Sequence, residues 1–248
     1  MRIYLSPSNQ PNNKYCVGNT TEKIQMEAVA SKVKAIIDSE YDCETVMATF
    51  SLGIGLNERP KEAADKKCDF YLAIHSNAAG SVTQNYATGA SAYYHPNHAK
   101  SKELAIALVR ELNAVCPVTS NRSSPVINGM LAFEGAGYGE VRSPMQKGIG
   151  SLLLEVDFHD HPATAQWIID CKDVIAGAIV KAIVATFGIA KKAVVFPKAP
   201  ETPTTKPADT PQKLYRVQVG AYAVRQNAEN MLNKLRNQGY SDAYIKFD

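Results

Sequence analysis

Two stretches of this chain run apolar without a break and then stop on ionisable groups. Phe70-Tyr71-Leu72-Ala73-Ile74 leads into His75-Ser76-Asn77, and Leu152-Leu153-Leu154 leads into Glu155-Val156-Asp157-Phe158-His159. Short apolar runs of this kind, bounded by small polar residues, read as strands buried on both faces. Met1 to Leu5 is a third strand, closed by the polar loop Ser6 to Asn13. Thr20-Thr21-Glu22 then opens a helix, on which Met26, Val29, Ala30, Val33, Ile36 and Ile37 recur at helical spacing. Further along, the pattern predicts strands over Cys43–Thr49, Gly89–Tyr94, Met130–Phe133 and Ser151–Val156. Helices are predicted over Arg59–Lys67 and Ala99–Val115, and Ala163–Phe187 reads as two more. Strands alternating with helices predict an α/β fold, a largely parallel sheet covered by helices on both faces.

The pattern changes after Gly188. Pro197, Pro200, Pro203, Pro207 and Pro211 punctuate a stretch with no periodic apolar face, which reads as a linker. Beyond it, Tyr215–Tyr222 alternates like a strand, Asn227–Asn237 has a helical apolar face, and Ala243–Phe247 closes as another strand. The expected organisation is a main domain over 1–190, a Pro-rich linker over 191–213 and a small β-α-β module over 214–248. So short a module would gain from pairing with a second copy or docking elsewhere.

Composition narrows the function classes. A chain of 248 residues, 45% hydrophobic, can bury one substantial core. A net charge of +3, evenly spread, leaves no nucleic-acid footprint. No apolar run is long enough to cross a bilayer, and no leader precedes the first strand, so no membrane partner is expected and synthesis is expected in the cytoplasm. Five cysteines without C-x-x-C spacing fit reduced thiols rather than a disulfide framework.

The chemistry collects at strand ends, where parallel sheets bind ligands. Read singly, each group has a plain alternative. His75 could be a surface imidazole hydrogen-bonded at a strand end, and Glu155 a capping or ion-paired carboxylate. Glu22 is an acid in the first turn of a helix, favourable there without further purpose. His95 and His98 read as surface residues of a loop, and His161 as the cap of the helix after it.

Taken in order, these residues resemble the zinc-dependent N-acetylmuramoyl-L-alanine amidases of the Amidase_3 type. The similarity rests on Glu22 with Ala30 downstream, Arg59 with Ala63-Ala64, Ala73-Ile74-His75-Ser76-Asn77-Ala78, Ala92-Tyr93-Tyr94 and Leu153-Leu154-Glu155-Val156, and spans about residues 1–188. The tail resembles the opening half of a SPOR module, through Val217-Gln218-Val219-Gly220-Ala221-Tyr222. The resemblance implies a zinc cofactor with Glu22 and His75 as ligands and Glu155 as the catalytic residue. It implies bacterial peptidoglycan as the partner, and hydrolysis of the bond between N-acetylmuramic acid and L-alanine. A phage endolysin, reaching the wall after lysis, is the setting this suggests; a mother-cell lytic enzyme or prophage remnant is the alternative.

One departure bears on the metal. The family's first strand ends in Gly-His, whose histidine is a ligand, whereas here Asn9 stands at that position. An amide oxygen is a poor zinc donor. His159, four residues beyond Glu155 at the same mouth of the sheet, is the expected replacement. Two rival functions share these residues: a wall-binding protein on an amidase scaffold that has lost turnover, and a zinc peptidase of the stem peptide.

Overall fold

The computed structural model describes residues 1–49, 57–80, 87–193, 218–237 and 239–246. The three apolar runs form strands β1 (Arg2–Pro7), β3 (Phe70–Asn77) and β6 (Gly150–Phe158). Between them lie α1 (Glu22–Glu40), β2 (Glu44–Met47), α2 (Glu58–Asp65), β4 (Ser91–Tyr94), α3 (Ala99–Val115), β5 (Val126–Asn128) and α4 (Gly139–Met145). After β6 come α5 (Pro162–Asp170) and α6 (Lys172–Phe187). The strands make one six-stranded sheet in the order β2-β1-β3-β6-β4-β5. Its first four strands are mutually parallel; β4 runs antiparallel to β6, and β5 parallel to β4.

Alternation along the strands divides the core into two layers. Ile3, Leu5, Phe70, Leu72, Ile74, Leu152 and Leu154 pack with the apolar faces of α1, α3 and α6. Tyr4, Tyr71, Ala73 and Leu153 face the other way, onto Ala63 of α2 and Val141 of α4. Coverage on both faces is why β1, β3 and β6 read as unbroken apolar runs. The final helical stretch is two helices, as expected: Pro162 stands at the start of α5 behind the His161 cap, and Gly188, at φ 64°, ends α6 in the left-handed conformation.

Three local expectations change. The strand predicted over Met130–Phe133 is instead a pair of 3₁₀ turns, Gly129–Leu131 and Phe133–Gly135. The edge strand lies just before them, and the Asn128 side chain, accepting from Met130 N at 3.0 Å, turns the chain out of it. His95 and His98 are not surface residues. His95 is 7% exposed, and the His98 ring packs on Phe70 with centroids 5.5 Å apart. Apolar neighbours depress both imidazoles below their usual range through burial.

The chain divides into two units, Met1–Val195 and Phe196–Asp248. In the second, helix α7 (Arg225–Asn237) is the regular element among the described residues. The strands expected at Tyr215–Tyr222 and Ala243–Phe247 fall partly outside the described residues, and their described parts, 218–222 and 243–246, form no ladder. Among the described residues no helix is long and apolar enough to cross a membrane.

Glu62 of α2 ties β1 to the helix layer. Its Oε2 accepts from Tyr4 Oη at 2.5 Å and Thr49 N at 3.1 Å, and its Oε1 from Lys66 at 2.7 Å and from the Thr49 hydroxyl. Burial would raise this carboxyl, but the bonds from Lys66, Thr49 and Tyr4 outweigh it and hold it near about 2, below an ordinary 4.5. Because the folded value is depressed, the stabilisation is full above about 4.5 and is lost as pH falls through about 2. Glu62→Gln is expected to cost roughly 1–3 kcal/mol at neutral pH. Denaturant titrations of both proteins should show the gap closing across that acid window; a gap independent of pH would refute the assignment.

Candidate active site

Because β1, β3 and β6 run parallel, their carboxyl ends open on one edge of the sheet. His75 and Glu155 are register partners across β3 and β6, and alternation sends both to the face carrying Ala73 and Leu153. A cavity of about 340 Å³ opens there, walled by Asn9, Gln10, Arg59, His75, Glu140 and Glu155. Beyond this pair β6 carries one extra residue, since Asn77 pairs with Phe158. That irregularity takes Asp157 out of line with Glu155. Its carboxylate accepts from Gly89 N at 2.9 Å and Phe158 N at 2.7 Å, a structural tie to the segment before β4.

Glu22 is the first residue of α1, behind the Thr21 cap, yet it is only 1% exposed. The loop after β1 folds over it: Glu22 N donates to Asn13 O at 2.8 Å, and Asn13 Nδ2 donates to Glu22 Oε2 at 2.8 Å. The other carboxylate oxygen lies 2.9 Å from His75 Nδ1. Burial opposes charge on both groups, but their mutual attraction wins, with Asn13 Nδ2 and Ser76 N also bonded to the carboxylate. Glu22 is lowered and His75 raised. His75 Nε2 is buried without a hydrogen-bond partner, and Glu140 Oε1 is 3.9 Å from it.

Glu155 contrasts with Glu22. Its Oε2 is buried with no hydrogen-bond partner. Burial pushes its carboxyl up to about 8, against the pull of His75 and with repulsion from Glu22. The two carboxyls therefore differ in protonation at neutral pH although one imidazole faces both. Environments that push two acids apart in this way are how a site separates the work of holding charge from that of moving protons.

Glu140 and Arg59 of the wall are fixed by neighbours outside it. Glu140, in the first turn of α4, has its Oε2 fixed by Tyr71 Oη at 2.5 Å. Arg59, 3% exposed, donates through Nη1 to Ser6 Oγ at 2.9 Å and Pro7 O at 2.7 Å, while its Nε and Nη2 stay buried and unpaired. Sequence reasoning named Arg59 only through resemblance and missed Glu140 and Tyr71. Glu140 stands in a glycine-rich stretch without periodicity, and Tyr71 reads as core; the available signal was an acid opening a short helix.

Of the four expected site residues, the fold brings Glu22, His75 and Glu155 together and sets His159 apart. The His159 ring stacks on Tyr15 at 5.0 Å, and its Nδ1 donates to Ser76 O at 2.8 Å. It forms no part of the cavity wall. Burial lowers its basicity. The same strand end is held from the other side by Tyr15 Oη, 2.9 Å from Ser76 Oγ. At the position of the family's first ligand, Asn9 does line the cavity, and beside it Gln10 Nε2 comes to 3.4 Å from His75 Nδ1. Asn13 donates to Gln10 Oε1 at 2.7 Å, which sets that amide's orientation.

Glu22 and His75 are donors of the kinds zinc prefers, a carboxylate and an imidazole, converging on one point. In direct contact with each other, they supply two of the three protein ligands that a catalytic zinc site carries. Among the described residues no group of three or more His, Cys, Asp or Glu side chains is placed to hold a metal ion.

Comparison with known proteins agrees with this geometry. No curated protein sequence matches the chain. The catalytic domain of CwlV, an N-acetylmuramoyl-L-alanine amidase from Bacillus (Paenibacillus) polymyxa var. colistinus, superposes with a TM-score of 0.61 at 19% identity, over 76% of this chain and 99% of that one. An N-acetylmuramoyl-L-alanine amidase from Clostridium difficile 630 gives 0.60 at 21% identity, over 75% and 96%. AmiC2 of Nostoc punctiforme, also an N-acetylmuramoyl-L-alanine amidase, gives 0.61 at 15% identity, over 76% and 97%. These likenesses establish the shared fold. Residues 211–247 match the SPOR domain profile. Residues 6–185, well over half of the chain, match the Amidase_3 profile described as N-acetylmuramoyl-L-alanine amidase, and the chain belongs to that family of peptidoglycan hydrolases.

Proposed function

We propose that this chain cleaves the amide joining the lactyl group of N-acetylmuramic acid to the L-alanine of the stem peptide. In this reading zinc is held by Glu22 and His75, and Glu155 moves the proton. The observation that carries it is the in-register pair His75 and Glu155 in one cavity, with Glu22 bonded to that same imidazole. When bound, zinc supplies a Lewis acid for the amide carbonyl and makes water more acidic. With its carboxyl at about 8, Glu155 is mostly protonated at neutral pH, and its ionised fraction is the form that takes a proton from water and returns it to the departing amine. The guanidinium of Arg59, which lines the cavity, would favour the charge that builds on a substrate carbonyl oxygen. His159, through Ser76, keeps the end of β3 in place. We read the tail as a wall-targeting module, with 191–213 as the tether; a hydrolase joined to such a module supports a lytic, endolysin-like setting.

A second reading is favoured by Asn9 at the inherited ligand position: a scaffold that binds wall without turnover. Incubating the full chain with purified peptidoglycan separates the two. Amidase action releases stem peptides with a new L-alanine amino terminus, and a chelator stops it. Glu155→Gln should keep fold and zinc content while losing roughly 10²–10⁴-fold in rate. Glu22→Ala and His75→Ala should lose bound zinc, counted by metal analysis. Wall that sediments with the protein yet stays intact would establish the second reading.

Glu155 also makes a prediction about stability in chelator-stripped protein. Its folded value, about 8, lies above the ordinary 4.5, so the folded state holds the extra proton between those values. Stability therefore falls as pH rises through that window. Glu155→Gln, which cannot ionise, is expected to gain on the wild type in thermal unfolding from about pH 5 to pH 9. A difference that stays flat with pH would mean Glu155 is already ionised at neutrality.

A further inference from the structure

The two most exposed large apolar side chains among the described residues of the first unit are Leu131, 72% exposed, and Phe133, 67% exposed. Both stand on the segment between β5 and α4, and Phe133 lines the same cavity as His75 and Glu155. This segment is built, not slack. Gly135 N and Gly137 N donate to Ala132 O at 3.2 and 2.9 Å, Ala136 N to Phe133 O at 3.0 Å, and Tyr138 N to Gly129 O at 3.0 Å. Gly137, at φ 73°, takes a left-handed backbone that strains any other residue, and a Cβ there would also press on the end of Met130 at 2.8 Å. Phe133 and Glu134 both take left-handed backbone, with φ 52° and 56°. Two successive non-glycine residues in that region are disfavoured, and such strain is kept where surrounding structure enforces it, most often at functional sites.

The strained turn exposes an aromatic ring supported from behind. Phe133 meets Tyr138 edge-on at 5.1 Å, and Tyr138 meets Tyr93 of β4 at 4.7 Å. Three rings thus run from the sheet to the mouth of the cavity. A bonded loop that spends backbone strain to hold a phenyl ring in water, beside a reactive pair, is suited to receiving a flat, partly apolar ligand face.

We propose that Phe133 is the platform of a saccharide subsite, on which the pyranose ring of the muramoyl residue stacks during cleavage. The inference rests on the amidase reading and deepens it. The chemistry of the substrate selects this occupant. On the amine side of the bond stands alanine, whose methyl group has little use for an aromatic platform. On the acyl side the lactyl group joins the sugar directly, so a bulky ring with an apolar C–H face lies a few bonds from the reacting carbonyl. Its hydroxyls remain in water at the rim while the C–H face covers Phe133.

The test uses the full chain with two substrates that carry the same stem peptide, a disaccharide-peptide and a lactoyl-peptide without sugar. Phe133→Ala should lower kcat/KM on the disaccharide-peptide by roughly tenfold, chiefly through KM. It should leave the lactoyl-peptide unchanged, and Phe133→Trp should restore the lost affinity. An equal loss on both substrates would overturn the proposal in favour of a peptide contact or a general role of the loop. No loss on either would also overturn it. Binding of the peptide-free disaccharide, titrated by NMR into wild type and Phe133→Ala, stands apart from turnover. If neither substrate is cleaved, the amidase reading falls, while weaker disaccharide binding by the Ala variant still supports the platform and equal binding removes it.

Discussion

The register of β3 against β6 is the constraint from which the site follows. Both strands are buried on both faces, so a slip of one residue would turn Leu72, Ile74, Leu152 and Leu154 out of the helix layer. The core therefore fixes which residues meet where the strands leave it, and the pair that meets is His75 and Glu155. Packing thus positions a carboxyl that is itself expensive to bury. The cost appears in the unpartnered Oε2 and in the upward shift of the acid.

A second element makes this pair more than a strand-end coincidence. Glu22 enters from the first turn of α1, and the loop after β1 closes over it through Asn13. The imidazole is then held on its Nδ1 side by a carboxylate that stays ionised, while Glu155 stays in the opposite state. Had both acids been solvated alike, they would share one protonation state. Burial with hydrogen bonds for Glu22, and burial without them for Glu155, separates them. Arg59 and Tyr71 buttress the same floor from Ser6, so the polar residues at the end of β1 support the site as much as the loop beyond it does.

Much of this was legible in the sequence because the strands that matter are doubly covered. Unbroken apolar runs made β3 and β6 visible, and their abrupt polar ends located His75 and Glu155. α3 was legible to its ends because its apolar spacing is regular. The legible part stopped where periodicity did. Gly129 to Gly139 carries turn residues in a row, and nothing in their order separates a short strand from two 3₁₀ turns. Glu140 was lost with them. His159 differs for another reason: it directly follows β6, and where a ring points after an irregular register depends on contacts from far along the chain, here Tyr15 and Ser76.

The loop after β1 shows how the fold accommodates an amide where the family has a ligand. Asn13 donates to both Glu22 and Gln10, and Glu22 is in turn the partner of His75. A side-chain network of this kind can hold the carboxylate and the imidazole in place by hydrogen bonds alone, which three firmly bound ligands would otherwise do through the metal. Pre-organisation then comes from the protein, and a weakly held ion would pay less of the ordering cost on arrival. In the proposed reading, a zinc ion and the loop would be partly interchangeable as sources of order. That is why Asn9 need not signal a dead site: its neighbours already do the positioning for which the missing histidine would have been one means.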